Sequence, residues 1–295
     1  MVSGVKRKHG VQLLGMIVLM FVFFGLMFYM FGGGDSFKLI HVEGNIHVFD
    51  NGNGIRQFKF SKNGDRQSEI KIGDVEHVPL AYIRATIASL TFLTKRPTSI
   101  LLVGLGGGSI ATYLHKHFPS AHIDIVEMHQ RMLDVAEQYS NFRRNDNVVV
   151  HISDGLDYVE RQSRAGKHYD LIYQDGCSSA PCNLMTVDGF KIMSKLLSPE
   201  GVYLQNLIGL RRHFGVIRNM QEAFRELYYV ESGSVNQVFI GYNYNVSLST
   251  SDLVTRGEMF QLQEKPYFNV VNEFSTHFKR LTNVMINVDN YIYQE

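Results

Sequence analysis

The sequence predicts an α/β fold: a doubly wound, mainly parallel sheet, preceded by a small N-terminal β-hairpin subdomain and an apolar N-terminal transmembrane helix. Three observations predict it. Short apolar runs alternate with helical spacings, a glycine-rich turn joins one such run to a helix, and acids fall where the apolar runs end.

The organising stretch is SILLVGLGGGSIATYLHKHFPSAHIDIVE, residues 99–127. The apolar run at 100–103 reads as a strand buried on both faces. It breaks into Gly104-Leu105-Gly106-Gly107-Gly108-Ser109 before helical spacing begins at Ile110. Glycine, lacking a Cβ, lets the backbone turn tightly and approach a ligand, and a helix start presents unpaired N–H groups and a positive dipole end. A second strand, 123–126, ends in Glu127, 23 residues after Gly104, where a nucleotide-binding βαβ unit places an acid on ribose hydroxyls. A glycine turn alone also fits a plain tight turn; with the strand, the helix and the acid it points to nucleoside binding.

With 295 residues and 45% hydrophobic content, the chain holds one large domain or two modest ones. Lys plus Arg number 29 against 28 acids, with no dense basic run beyond the amino terminus, so no nucleic-acid partner is expected. Two cysteines are too few for a disulfide scaffold, and the absence of CxxC or HExxH spacing leaves no metal site to expect.

Lys6, Arg7, Lys8 and His9 precede residues 11–31, a stretch of 21 residues without a charge. As a helix it would rise about 31 Å, enough to cross a bilayer core. A buried globular helix would show a polar face over that length. A cleaved signal peptide has a shorter apolar core, and Gly32-Gly33-Gly34 is a poor cleavage pattern. The reading is a signal anchor on residues 1–35. With only Lys38 following closely, the positive-inside rule keeps the amino terminus cytosolic and places the folded part in a lumen or outside the cell.

Residues 36–78 read as short β segments punctuated by Asn51-Gly52, Asn53-Gly54 and Asn63-Gly64, pairs that favour type I′ hairpin turns. From Pro79, which suits a first helical turn, Leu80, Ile83, Ile87, Leu90 and Leu93 fall on one helix face. Residues 130–139 read as an amphipathic helix with Met132, Leu133 and Ala136 inward. Strands follow at 148–152, ending at Asp154-Gly155; at 169–173, ending at Asp175; and at 201–207, after a Ser198-Pro199-Glu200-Gly201 turn. In a doubly wound sheet, ligands sit at the carboxyl ends of the strands, where Gly104, Glu127, Asp154 and Asp175 all fall. An acid in such a place can also be only a helix cap, the reading favoured for Asp157 and kept open for Asp175. The nucleoside-binding domain is expected over 79–250. Residues 251–295 read as helices and loops without a motif.

Taken together, the hairpin subdomain and the segments VGLGGGS, HIDIVE, HISDGLDYV, YDLIYQD and LSPEGVYLQNL resemble the spermidine synthase-like class of S-adenosylmethionine-dependent, Rossmann-like class I methyltransferase folds, from about residue 38 to 245. The wording GLGGGS, DGLDYV and SPEGV is most similar to the C-terminal domain of the methyltransferase-like 13 proteins, the elongation factor 1-alpha methyltransferases. The resemblance implies that Gly104, Gly106 and Gly108 cradle the methionyl part of S-adenosyl-L-methionine, that Glu127 accepts from both ribose hydroxyls, and that Asp154, with Gly155, lies at the adenine. It implies that Asp175 borders the sulfonium and the acceptor, which fits a catalytic role in orienting or deprotonating the acceptor, and that Gln67 faces the acceptor pocket.

Departures from the resemblance separate two reactions. Aminopropyltransferases carry an acid inside the glycine turn, where Gly107 stands here, and a D-x-x-D pair after the fourth strand, where this chain has Asp175 and Ser178. Losing one of two carboxylates on a dicationic amine removes a charge-assisted bond of about 1.5–3 kcal/mol. The expectation is therefore a membrane-anchored methyltransferase whose acceptor is a small-molecule or protein amine, with a homodimer left open. Aminopropyl transfer and an inactive binding homologue remain the alternatives. The lumenal topology adds two expectations: a bridge between Cys177 and Cys182 across a proline-assisted loop, and a glycan on the sequon Asn245-Val246-Ser247.

Overall fold

The computed structural model describes residues 36–177, 181–209, 214–233, 235–274 and 278–281. The expected anchor at 11–31 and Ser178 lie outside them. Among the described residues no helix is long and apolar enough to cross a membrane.

Strands β1 (Lys38–Glu43), β2 (Ile46–Asp50), β3 (Ile55–Lys59) and β4 (Arg66–Lys71) form an antiparallel sheet in chain order. This is the expected subdomain, but its turns differ from expectation. Only the glycines of 51–54 take positive φ, 81° at Gly52 and 80° at Gly54. Asn51 instead uses its side chain, Oδ1 accepting from Asn53 N (2.9 Å) and Ile55 N (3.1 Å), so the loop closes without a type I′ turn. The tightest hairpin is at Gly44-Asn45, with Gly44 at φ 57°.

Helix α1 (Ala81–Ala88) buries Ile83 and Ile87 and tightens into a 3-10 turn, Ser89–Phe92, that buries Leu90. There follow β5 (Ser99–Val103), α2 (Ser109–His117), β6 (His122–Glu127), α3 (Gln130–Tyr139), β7 (Val148–Ile152), α4 (Gly155–Arg164), β8 (Tyr169–Gln174), α5 (Val187–Leu196) and β9 (Leu197–Ile208). In this run β7, β6, β5, β8 and β9 pair in parallel, β5 in the middle. Ile100 and Leu102 enter the core on one face of the sheet, Leu101 and Val103 the core on the other. A strand between two cores is apolar at every position, which is why it reads as a continuous run. The turn expected at 198–201 is instead drawn into β9, opposite an irregularity in the pairing with β8.

Beyond β9 lie α6 (Phe214–Ala223), β10 (Glu226–Ser232), β11 (Asn236–Tyr242), α7 (Thr250–Glu264), α8 (Val270–Phe274) and β12 (Phe278–Arg280). The last three strands join antiparallel, and the described sheet runs β12-β10-β11-β9-β8-β5-β6-β7. The carboxy-terminal extension thus adds an edge strand, where only helices and loops were expected.

The hairpin subdomain packs Ile46, Val48, Phe58 and Ile70 against Met132 and Val135 of α3. Arg56 Nη1 donates to Tyr139 O at 3.0 Å, tying the subdomain to the end of that helix. This docking brings β4 over the glycine turn.

Candidate active site

At the carboxyl ends of the parallel strands, under the hairpin subdomain, lies a cavity of about 930 Å³. Gly104, Gly106, Glu127, Asp154, Gly155, Asp175 and Gln67 all line it, so strands far apart in sequence bring the expected residues together. Gly108 is the exception. It caps the amino end of α2, and a Cβ there would stand 2.6 Å from Phe142 Cβ, so its smallness serves packing behind the turn.

Two glycines show where the turn tolerates no side chain. Gly104 has φ +97°, and a Cβ on it would stand 2.8 Å from Gly176 N. Its neighbour Gly107 donates its N–H to Ser68 Oγ (3.0 Å), and a Cβ there would meet Ser68 Cβ at 2.9 Å and Phe58 Cδ2 at 3.0 Å. The hairpin subdomain thus fills the space beside Gly107.

Glu127 is 9% exposed. Its Oε2 accepts from Leu105 N (3.1 Å) and its Oε1 from His129 N (3.0 Å), so two backbone donors fix the carboxylate while each oxygen keeps acceptor capacity. Asp154 turns out to be the cap that was expected of Asp157. Its Oδ1 accepts from Leu156 N (2.8 Å) and Asp157 N (3.2 Å) at the start of α4, while Asp157 sits in the first turn.

Asp175 follows β8, its N–H donating to Val103 O (2.9 Å). Desolvation of the half-buried carboxyl pushes it up to about 6, against the opposing effect of the hydrogen bond from Asn206 and of the neighbouring Tyr173 hydroxyl. Asn206 Nδ2 donates to Asp175 Oδ1 (3.1 Å), and Asn206 Oδ1 accepts from Asn236 Nδ2 (3.0 Å). This amide relay crosses from β11 through β9 to the acid. Tyr82 of α1 also lines the cavity, its hydroxyl donating to Gln67 O (3.0 Å). Burial, reinforced by the charge on Asp175, holds that phenol well above its ordinary range. Gln67 is exposed at the rim, its Nε2 reaching Asp65 O at 3.4 Å.

Asn206, Asn236 and Tyr82 were not anticipated. For Asn206 a signal existed, a pair of amides, Gln205-Asn206, set in the apolar run that closes β9. Asn236 is positioned by an antiparallel partner strand, and Tyr82 lies off the apolar face of its helix. Cys177 and Cys182 are bridged, with Cα atoms 6.3 Å apart, and both line the cavity beside Asp175.

A doubly wound sheet with a glycine turn, an acid after the second strand and a half-buried acid after the fourth defines a Rossmann-like, nucleoside-binding class of protein. Within that class the chain belongs to the spermine/spermidine synthase domain family, whose model matches residues 79–236. It is similar to the eEF1A lysine and N-terminal methyltransferase of Mus musculus, 34% identical over 194 residues, which cover 61% of this chain and 27% of that protein. It is also similar to the polyamine aminopropyltransferase of Vibrio vulnificus, 33% identical over 199 residues, 64% of this chain and 66% of that one. The chain spans less than a third of the curated methyltransferases it first matches. Among solved structures, human methyltransferase-like protein 13 in complex with SAH superposes with a TM-score of 0.57 at 28% identity, covering 71% of this chain and 99% of that one. A spermidine synthase from Thermotoga maritima, at 17% identity and TM-score 0.59, shares the fold.

Proposed function

We propose that this chain is an S-adenosylmethionine-dependent methyltransferase acting on an amine, tethered to a membrane by residues 11–31 with its folded domain on the lumenal or extracellular side. The cavity fits the cofactor: Gly104 leaves room where a Cβ would collide, and Glu127 holds acceptor oxygens fixed toward a ribose. Asp175, Asp154 and Asp65 against Arg66 and Arg131 give the wall acidic groups suited to a cationic sulfonium. When bound, that cofactor supplies an electrophilic methyl group. The acceptor nitrogen must then present a free lone pair, and Asp175, ionised at neutral pH, takes its proton while Asn206 and Asn236 hold the carboxylate in place. The new N–C bond forms as the C–S bond breaks, and the sulfur keeps the electron pair as a neutral thioether.

The observation that carries methyl over aminopropyl transfer is Gly107 closed against Ser68 and Phe58, with no room for the acid that polyamine synthases place there. The test is a paired assay of the purified domain: methyl-labelled S-adenosylmethionine with amine-bearing peptides, and decarboxylated S-adenosylmethionine with putrescine. Label transfer to an amine is expected. Release of 5′-methylthioadenosine from the second pair would establish aminopropyl transfer instead.

A further inference from the structure

We infer that Asn245 is an N-glycosylation site, on a domain that matures where disulfides form. This rests on the topology proposed above. The chain contains one Asn-x-Ser/Thr sequon, Asn245-Val246-Ser247. It lies on the connection from β11 to α7 with all three residues exposed, Val246 at 49%. Asn245 Oδ1 accepts from Arg225 Nη2 at 2.6 Å, while Nδ2, the atom that takes the sugar, makes no hydrogen bond among the described residues. Ser247 sits beside Arg280 Nη2 and Glu226 Oε1, both 2.9 Å from its Oγ, so the folded loop keeps the tripeptide at the surface.

The register places the site away from the chemistry. Asn236, at the cavity rim, pairs with Ile208 at the end of β9, and Tyr242 pairs with Val202, itself opposite Leu171 near the start of β8, so β11 leads from the cavity to the opposite end of the sheet before Asn245 is reached. A branched sugar there leaves the cavity mouth open. The second, independent observation is the Cys177–Cys182 bridge, which uses both cysteines of the chain. Such bridges persist in oxidising compartments and are rare in the cytosol, and the same compartments carry the oligosaccharide-transfer machinery.

In the glycosylation step, Nδ2 of Asn245 bonds to the anomeric carbon of a polyprenyl-diphosphate-linked oligosaccharide. The diphosphate leaves with the bonding pair and the amide loses one proton. For the bridge, two thiols give up two electrons and two protons to a disulfide-bearing oxidoreductase.

The test expresses the full chain in eukaryotic cells and treats the membrane fraction with a glycosidase specific for N-linked sugars. Wild type is expected to drop in apparent mass, Asn245→Gln and Ser247→Ala to run at the lower mass untreated, and Ser247→Thr to keep the shift, which separates lost glycosylation from misfolding. Maleimide labelling in denaturant should modify neither cysteine until a reductant is added. A glycosidase-insensitive wild type overturns the site whatever the cysteines show. Added protease then distinguishes the two failures: a domain protected inside sealed vesicles leaves the topology standing, and a digested one removes both.

Discussion

Asn206→Leu tests how the amide relay sets the protonation of Asp175. The substitution keeps the side chain's bulk and removes the N–H that reaches Asp175 Oδ1 at 3.1 Å. With the carboxyl pushed up to about 6, roughly nine molecules in ten are ionised at pH 7. The bond favours the charged form, so losing it raises the carboxyl further. A hydrogen bond to a charged group is worth about 1.5–3 kcal/mol and one pH unit corresponds to about 1.4, which moves the acidic limb of the rate profile up by roughly one to two units. Turnover at pH 7 should fall roughly two- to tenfold and recover most of its value by pH 9. The assay is initial-rate methyl transfer from pH 5 to 9 at saturating cofactor. Asn236→Ala should move the limb the same way by less, because Asn236 acts only through Asn206. A drop in rate with an unmoved acidic limb would refute the reasoning, since it would leave Asn206 a merely structural role.

Asp175→Asn should abolish turnover yet stabilise the fold at neutral pH. The native carboxyl binds its proton more tightly than the unfolded chain does, so its ionisation costs stability as pH rises from about 4 through about 6. Urea unfolding should show a gain on the order of 1–3 kcal/mol at pH 7 that shrinks steadily toward pH 4.5, and a pH-independent gain would contradict that origin. Gly107→Asp, which restores the aminopropyltransferase acid, should lower unfolding stability by about 1–3 kcal/mol through collision with Ser68 and Phe58 and confer no reaction with putrescine. A stable variant that releases 5′-methylthioadenosine would show that the hairpin subdomain yields.

The parallel half of the fold was readable because β5, β6 and β8 are buried on both faces and its helices on one, so each element has its own period: α3 begins and ends where the spacing places it. The antiparallel half was not. β10 and β11 carry polar residues at their ends and owe their place to pairing with β9, a long-range condition no local window contains. The candidate site divides the same way. Gly104, Glu127, Asp154 and Asp175 follow from strand ends, whereas the Asn236–Asn206 relay depends on two strands meeting out of sequence order. Gly108 shows the limit of motif transfer: its glycine answers to Phe142, not to the cavity.

The most direct test of the central claim is isothermal titration of the purified domain with S-adenosylmethionine and with its decarboxylated form. The account predicts one-site binding of the first and weaker binding of the second. It also predicts a loss of about 2 kcal/mol or more in Glu127→Ala, which takes away both oxygens that Leu105 and His129 hold in place. Absence of heat with either compound, from a protein whose melting curve is intact, would contradict it and leave the fold a binding scaffold.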